Sequence, residues 1–481
     1  MKAVAWSGAD VFTRQGVQFF VSIMLARLLA PEHFGIVAVL SVFISLSAIF
    51  IDGGFSYALI QHQDITTVDE CSVFCFNVGL AIVAATLLCA AAPWIASYFK
   101  QPVLRPLAYL MSVDLLLKAS SGVQKAMLTK RLNIRSVFIV GLAASLISGV
   151  LAVVLALAGF GVWSLAGQTI VSSGITTVLL WWLYPLRPLS GFRVASLAKL
   201  FGFGKYMMVS SLLNAAYSSL LTVLVAKLFS ARNLGFYLRA QGTQTIPVNL
   251  LSNTIERVAL PVLSTTATDH DQLVRGIRRL LTGMMLINVP TMLGLAALSE
   301  QVIATLFGAK WLPAVPYLQV LCLAGVFWPM HVVNLTALLA QGRSDLFFRL
   351  EVAKTILGVS TILFASFHGM MAIVWSQVAV GLICFFINAH YTDRLLGYGA
   401  LRQLRDVFPL EAVATMMAIV IWALGRAIHF PAAFELLILV PLGAVIFFMI
   451  CHWFDIGRFS EALLLLRQSG GSALNTKYAR S

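Results

Sequence analysis

LARLLAPEHFGI, Leu25 to Ile36, returns two hundred residues later as VAKLFSARNLGF, Val225 to Phe236. The same offset sets Asp10, Arg14, Gln18 and Ser22 against Ser210, Asn214, Ser218 and Thr222, so two segments carry polar positions at matching four-residue intervals. Farther along, the offset grows to about 208, placing Pro106-Leu-Ala-Tyr-Leu against Ala314-Val-Pro-Tyr-Leu and Gly161 against Gly369. Extra residues in the second copy are expected between Thr265 and Arg279. The chain is a duplication, and the nature of the duplicated unit follows from its apolar content.

Of 481 residues, 60% are hydrophobic and 11% charged, and the mean hydropathy is +0.91. A water-soluble globular protein of this length does not carry that balance, so lipid is the expected solvent. A hydrocarbon core about 30 Å thick takes roughly 20 apolar helical residues per crossing, and about fourteen stretches qualify. In the first copy these are Val4 to Leu29, Ile36 to Ala58, Cys71 to Ser97, Leu104 to Lys125, Ile134 to Ala158 and Gly161 to Tyr184. The second copy offers Phe201 to Leu228, Leu234 to Ser264, Leu280 to Phe307, Ala314 to Ala340, Leu346 to Phe367 and Met370 to Leu395. Val407 to Ile428 and Phe434 to Phe454 follow outside the repeat.

Six spans per copy return the chain to the same side of the bilayer, which makes the repeats parallel, as in transporters that rock one bundle against another. The expected fold is all-α: two six-helix lobes, 1–190 and 191–396, around a central cavity. Two further transmembrane helices, 397–455, and a cytoplasmic tail, 456–481, complete it. With the N-terminus inside, roughly 21 basic residues fall on cytoplasmic breaks and roughly 7 on external ones, so both termini are expected in the cytoplasm. Met1 and Lys2 lead straight into the first span, so no cleavable signal peptide is expected.

The formal charge of +14 is scattered through short breaks and forms no surface for nucleic acid. The six cysteines lie in apolar stretches without metal or disulfide spacing and read as packing residues. No phosphate-cradling loop, metal cluster or external acidic pair is present, so no catalytic residue, metal or enzymatic activity is expected. The external breaks are too short to hold the catalytic loop of a membrane polysaccharide polymerase or ligase.

Ser7, Asp10, Arg14 and Gln18 lie within about 80° on the first span, and Asp114, Lys118, Ser121 and Lys125 within about 60° on the fourth. A charge near the bilayer centre costs at least about 2.5 kcal/mol, so both stripes should face water or a partner helix. One reading makes Asp10 with Arg14, and Asp114 with Lys118, internal ion pairs that hold helices together. The other has Arg14 and Lys118 present positive charge to an anionic headgroup. Ser211, Asn214, Ser218 and Thr222 on the seventh span suit sugar hydroxyls, or serve as packing glue. The acids Asp10, Asp52, Asp114 and Glu256 are candidates for coupling to a proton or sodium gradient. Lys205, Arg239, Gln241, Gln244, Glu256, His331, Asn334, Lys354 and His390 are polar residues in or beside spans with less pattern, each expected to be structural or interfacial.

IDGGFSYALIQHQDIT at Ile51 to Thr66, GFGVWSLAGQ at Gly159 to Gln168, and the run from LGFYLRAQGTQTIPVNLL to ERVALPVLS join the repeated segment in resembling one family. FGAKWLPAVPYLQVL, Phe307 to Leu321, is the clearest signature. The chain resembles polysaccharide exporters of the flippase class that handle O-antigen and colanic-acid repeat units. They belong to the superfamily that also holds multidrug exporters and the lipid II flippase. The resemblance implies a cargo of undecaprenyl-pyrophosphate bearing an oligosaccharide, moved from the cytoplasmic to the periplasmic leaflet of a bacterial inner membrane. It also implies polysaccharide polymerase and chain-length proteins as partners. It adds weight to Arg14, which stands in Val11-Phe-Thr-Arg14, a pattern whose basic residue faces the cavity in related flippases. The chain lacks the further basic residue and acid that follow in the lipid II flippase. The alternatives are a small-molecule or multidrug exporter of the same fold and, from another class, the membrane polymerase or ligase.

Overall fold

A computed structural model describes residues 2–186, 191–265, 269–427 and 430–456, with backbone alone at 2–12, 14, 203, 217, 250–265 and 344. Among these residues every element is helical. The first eight helices are α1 (Lys2–Leu28), α2 (Pro31–Asp52), α3 (Phe55–Gln61), α4 (Thr67–Tyr98), α5 (Leu104–Lys130), α6 (Ile134–Leu157), α7 (Val162–Leu183) and α8 (Val194–Leu228). Then come α9 (Ala231–Thr265), α10 (His270–Ala297), α11 (Ser299–Phe307), a 3₁₀ turn (Ala309–Ala314), α12 (Val315–Val326), α13 (Trp328–Ala340), α14 (Ser344–Ser366) and α15 (Met370–Leu396). The last two are α16 (Ala400–Ala427) and α17 (Ala432–Trp453).

Each of the fourteen expected spans is matched by helix, and nine segments are long and apolar enough to cross a membrane among the described residues. The other five coincide with α1, α5, α7, α9 and α14; α1 contributes a shorter apolar run, Gln15–Leu28. Large apolar side chains also cover the outside, including Trp94, Trp182 and Trp453. This is a multi-pass membrane protein.

Local chemistry sets the ends. Pro31 opens α2 and Gly53, in the left-handed conformation at φ 55°, closes it, its N–H donating to the Ile49 carbonyl. The second expected span therefore breaks into α2 and α3 at Gly53-Gly54. Thr66 and Asp69 form a reciprocal capping box on α4. The span expected from Leu280 begins instead at His270, where Asp269 accepts from the Gln272 N–H. Its added turns bury Leu273 and Ile277. A break at Phe327 divides the span from Ala314 to Ala340, with Pro329 in the first turn of α13.

The helices gather into two compact units, Met1–Gly235 and Phe236–Ser481. In the first, α5 packs on α4 and α7, and α6 on α7; in the second, α12 packs on α10 and α15, and α14 on α15. The backbone repeats with the packing. Lys100 and Gly308 both take positive φ, 54° and 93°, as do Gly161 and Gly369, 57° and 101°. Helix α8 packs on α2, α3 and α4 within the first unit, although its sequence belongs to the second copy. Helices α16 and α17 pack on α10 and α11 in the second. The tail expected at 456–481 lies, from 457 onward, outside the described residues.

The repeated segment explains one contact. A Cβ on Gly35 would strike the Ala231 backbone, and one on Gly235 the Pro31 backbone. Pro31 and Ala231 occupy equivalent places in the two copies of the sequence, and the first turns of α2 and α9 touch reciprocally. Without side chains at these glycines the two backbones meet directly, the close approach that small residues give membrane helices.

Candidate substrate site

Helix α5 supplies the charged centre. The Asp114 side chain is 0% exposed and its carboxylate lies 2.7 Å from the Lys118 ammonium, whose own side chain is 48% exposed. Ser173 on α7 donates its hydroxyl to Asp114 Oδ1 at 2.5 Å. Thr177 Oγ1 to the Leu117 carbonyl, 2.9 Å, and Trp181 Nε1 to the Ser120 carbonyl, 2.8 Å, continue the seam. The pair expected from four-residue spacing is therefore real. A buried carboxylate anchors a half-exposed cation, which is the internal ion pair of the first reading. Ser121 hydrogen-bonds back to the Leu117 carbonyl at 3.1 Å, and Lys125 is exposed.

A cleft of about 230 Å³ between α2, α3 and α8 brings Asp52 and Ser211 together, with Tyr57, Met207 and Met208 on its walls. Close approach of Gly54 to the Gly204 backbone holds α8 against this corner. Ser56 donates its hydroxyl to the Asp52 carboxylate. An acid and a hydroxyl in a cleft suit a cation or a sugar hydroxyl.

Gln18, Asn214 and Ser218 are exposed on α1 and α8, and the Ser218 hydroxyl bonds back to the Ala215 carbonyl at 3.1 Å. Thr222 is buried. The side chains of Ser7, Asp10, Arg14 and Glu256 lie outside the described residues. Gln124, fully buried on α5 with neither amide atom hydrogen-bonded, is a buried polar residue that charge patterning overlooks.

Several of the other polar residues make packing contacts. Arg239 stacks over Phe307 and Trp311 at 4.8 and 5.1 Å from the ring centroids, joining two of the signature segments. Gln244 approaches the Met292 sulfur at 3.9 Å. Asn334 and Gln403 exchange amide hydrogen bonds of 2.9 and 2.8 Å. Lys205 lies over Tyr206, His390 is exposed beside Tyr391, and Gln241 is half-buried.

The pattern of the family described as polysaccharide biosynthesis protein matches residues 24–316, more than half of the chain. The chain belongs to this family. Among curated relatives, the lipopolysaccharide biosynthesis protein WzxC of Escherichia coli K12 is 27% identical over 82% of this chain and 79% of its own. The succinoglycan biosynthesis transport protein ExoT of Rhizobium meliloti is 26% identical over 77% of this chain and 76% of its own. The fold resembles that of the lipid II flippase MurJ in an inward closed conformation. The TM-score is 0.73 at 15% identity, across 94% of this chain and 98% of that one.

Proposed function

We propose that the chain is a flippase that moves undecaprenyl-pyrophosphate-linked oligosaccharide repeat units from the cytoplasmic to the periplasmic leaflet of a bacterial inner membrane. The observation that carries this reading is that relatives matched over about four-fifths of the chain are named for polysaccharide assembly and its transport. The activity is transport without a catalytic centre. Both termini are cytoplasmic, and polysaccharide polymerase and chain-length proteins are the expected partners.

The physical task is to shield a diphosphate and its sugars while the polyprenyl tail stays in lipid. An unpaired ion in hydrocarbon is prohibitively unfavourable, and a fixed cation in the path lowers that barrier. Lys118, held by Asp114 with one face open, supplies such a cation on α5, and Arg14 supplies one on α1. Asp52 with Ser211, and Gln18, Asn214 and Ser218, offer partners for sugar hydroxyls. Alternating movement of the two repeat-built units would give the headgroup access to each leaflet in turn. Energy from a proton or sodium gradient belongs to the same proposal, with Asp10, Asp52, Asp114 and Glu256 as acids available to it.

Deletion of the gene in the producing organism, followed by assay of lipid-linked repeat units, tests the assignment. Accumulation on the cytoplasmic face is expected. Normal surface polysaccharide with lost tolerance to small toxic compounds would favour a drug exporter instead.

A further inference from the structure

His331 on α13 is held between two groups of α15. The imidazole faces the Gly381 backbone, and its Nδ1 lies 3.3 Å from Asn388 Nδ2. Gly381 and Asn388 are about two helical turns apart and share a face. Asn388 is fully buried, and with its N–H directed to His331 its Oδ1 has no hydrogen-bond partner. A buried acceptor left empty beside an imidazole is the complement of the protonated ring, which donates from both nitrogens. Rotation of the Asn388 amide would offer that oxygen to a proton on Nδ1.

The surrounding charges bear on the same proton. Helices α10, α12, α14 and α15 pack on α13. From α14, the Lys354 charge acts on the imidazole, and Glu351 pairs with Lys354. From α15, the Cys384 thiol is acted on by both. Cys322 of α12 is buried, and Arg278 of α10 is engaged by Asp406.

We propose that His331 is a proton-binding site, with Asn388 as the switching acceptor and the Glu351–Lys354 pair setting its occupancy, and that its protonation drives the transport proposed above. Coupling to transport rests on that reading, while proton binding at His331 does not. One proton joins Nδ1 from water on one side of the membrane and leaves Nδ1 to the other side in each cycle. Glu351 favours occupancy by compensating Lys354, and Lys354 opposes it. Intramembrane ionisable groups in transporters serve as such relays.

The full-length chain in proteoliposomes, with a fluorescent polyprenyl-diphosphate disaccharide as probe, gives the test. An imposed pH gradient should change the wild-type flipping rate severalfold, and His331→Gln should abolish that response. Histidine-labelled NMR of the same chain without probe should show one titrating ring that His331→Gln removes. Lys354→Gln should raise its midpoint and Glu351→Gln should lower it. A gradient response that persists in His331→Gln, or a His331 ring that does not titrate between about pH 4 and 8, overturns the proposal while leaving wild-type flipping intact. A wild type that does not flip the probe overturns the flippase reading instead, and the titration then decides proton binding alone.

Discussion

Gly35 and Ala231 are in backbone contact: the Ala231 carbonyl occupies the place a Gly35 side chain would take, and Gly235 meets Pro31 in the same way. Gly35→Val or Gly235→Val must push two helix backbones apart, at about 1–3 kcal/mol or more, because backbone cannot move aside as a side chain does. Each should lower the melting temperature and the membrane abundance. Gly79, with nothing near its Cβ position, serves as control: Gly79→Ala should be neutral or mildly stabilising. Fluorescence-detected size exclusion after heating reads all three.

Lys118 serves both the fold and the proposed cargo, and two variants separate these roles. Lys118→Met leaves the buried Asp114 carboxylate without its cation, which should lower stability by about 1–3 kcal/mol. The double variant Asp114→Leu with Lys118→Met removes both charges and should regain stability. Surface polysaccharide should remain depleted in both. Export restored by the double variant would leave Lys118 a packing role alone.

Arg14→Ala should impair export while leaving protein abundance unchanged, as expected for a cation that meets an anionic headgroup. Immunoblotting of membranes alongside surface polysaccharide provides the measurement, and normal polysaccharide would count against this residue.

In the second unit Asp406 accepts from Arg278 and, at 2.8 Å, from the Tyr398 hydroxyl. Asp406→Ala should destabilise the attachment of α16 to α10 by about 2–3 kcal/mol, since a charged acceptor is lost to two donors. Burial, reinforced by the Asp406 carboxylate, pushes the Tyr398 phenol up. A raised acid is stabilising while protonated. The contribution should thus be complete below about pH 10 and decline as pH climbs toward the folded value. Thermal melts of wild type and Tyr398→Phe across alkaline pH should converge as that contribution is lost.

Helix positions are legible in the sequence because apolar run length is a property of consecutive residues. The break at Gly53-Gly54 carries its own turn signal, and Pro329 marks the start of α13, but both are hidden inside runs that remain apolar. The amphipathic start of α10 is obscured by its charges, since Arg275, Arg278 and Arg279 read as a loop until Leu273 and Ile277 find a core. Asp114 and Lys118 are predictable as a pair because both stand on one helix, four residues apart. Ser173 against Asp114, Gln403 against Asn334 and Asn388 against His331 are not. Each joins two helices, and periodicity within one helix contains no information about its register against another.

The packing of α8 on α2, α3 and α4 also bears on biogenesis. A ribosome that has threaded the first six spans into the bilayer has not yet delivered the surface that covers these helices. The amino-terminal bundle can close only when translation has passed the second LARLL-like segment. A nascent chain truncated before α8 should therefore be open to membrane proteases, whereas one ending after Gly235 has all of its own partners within reach.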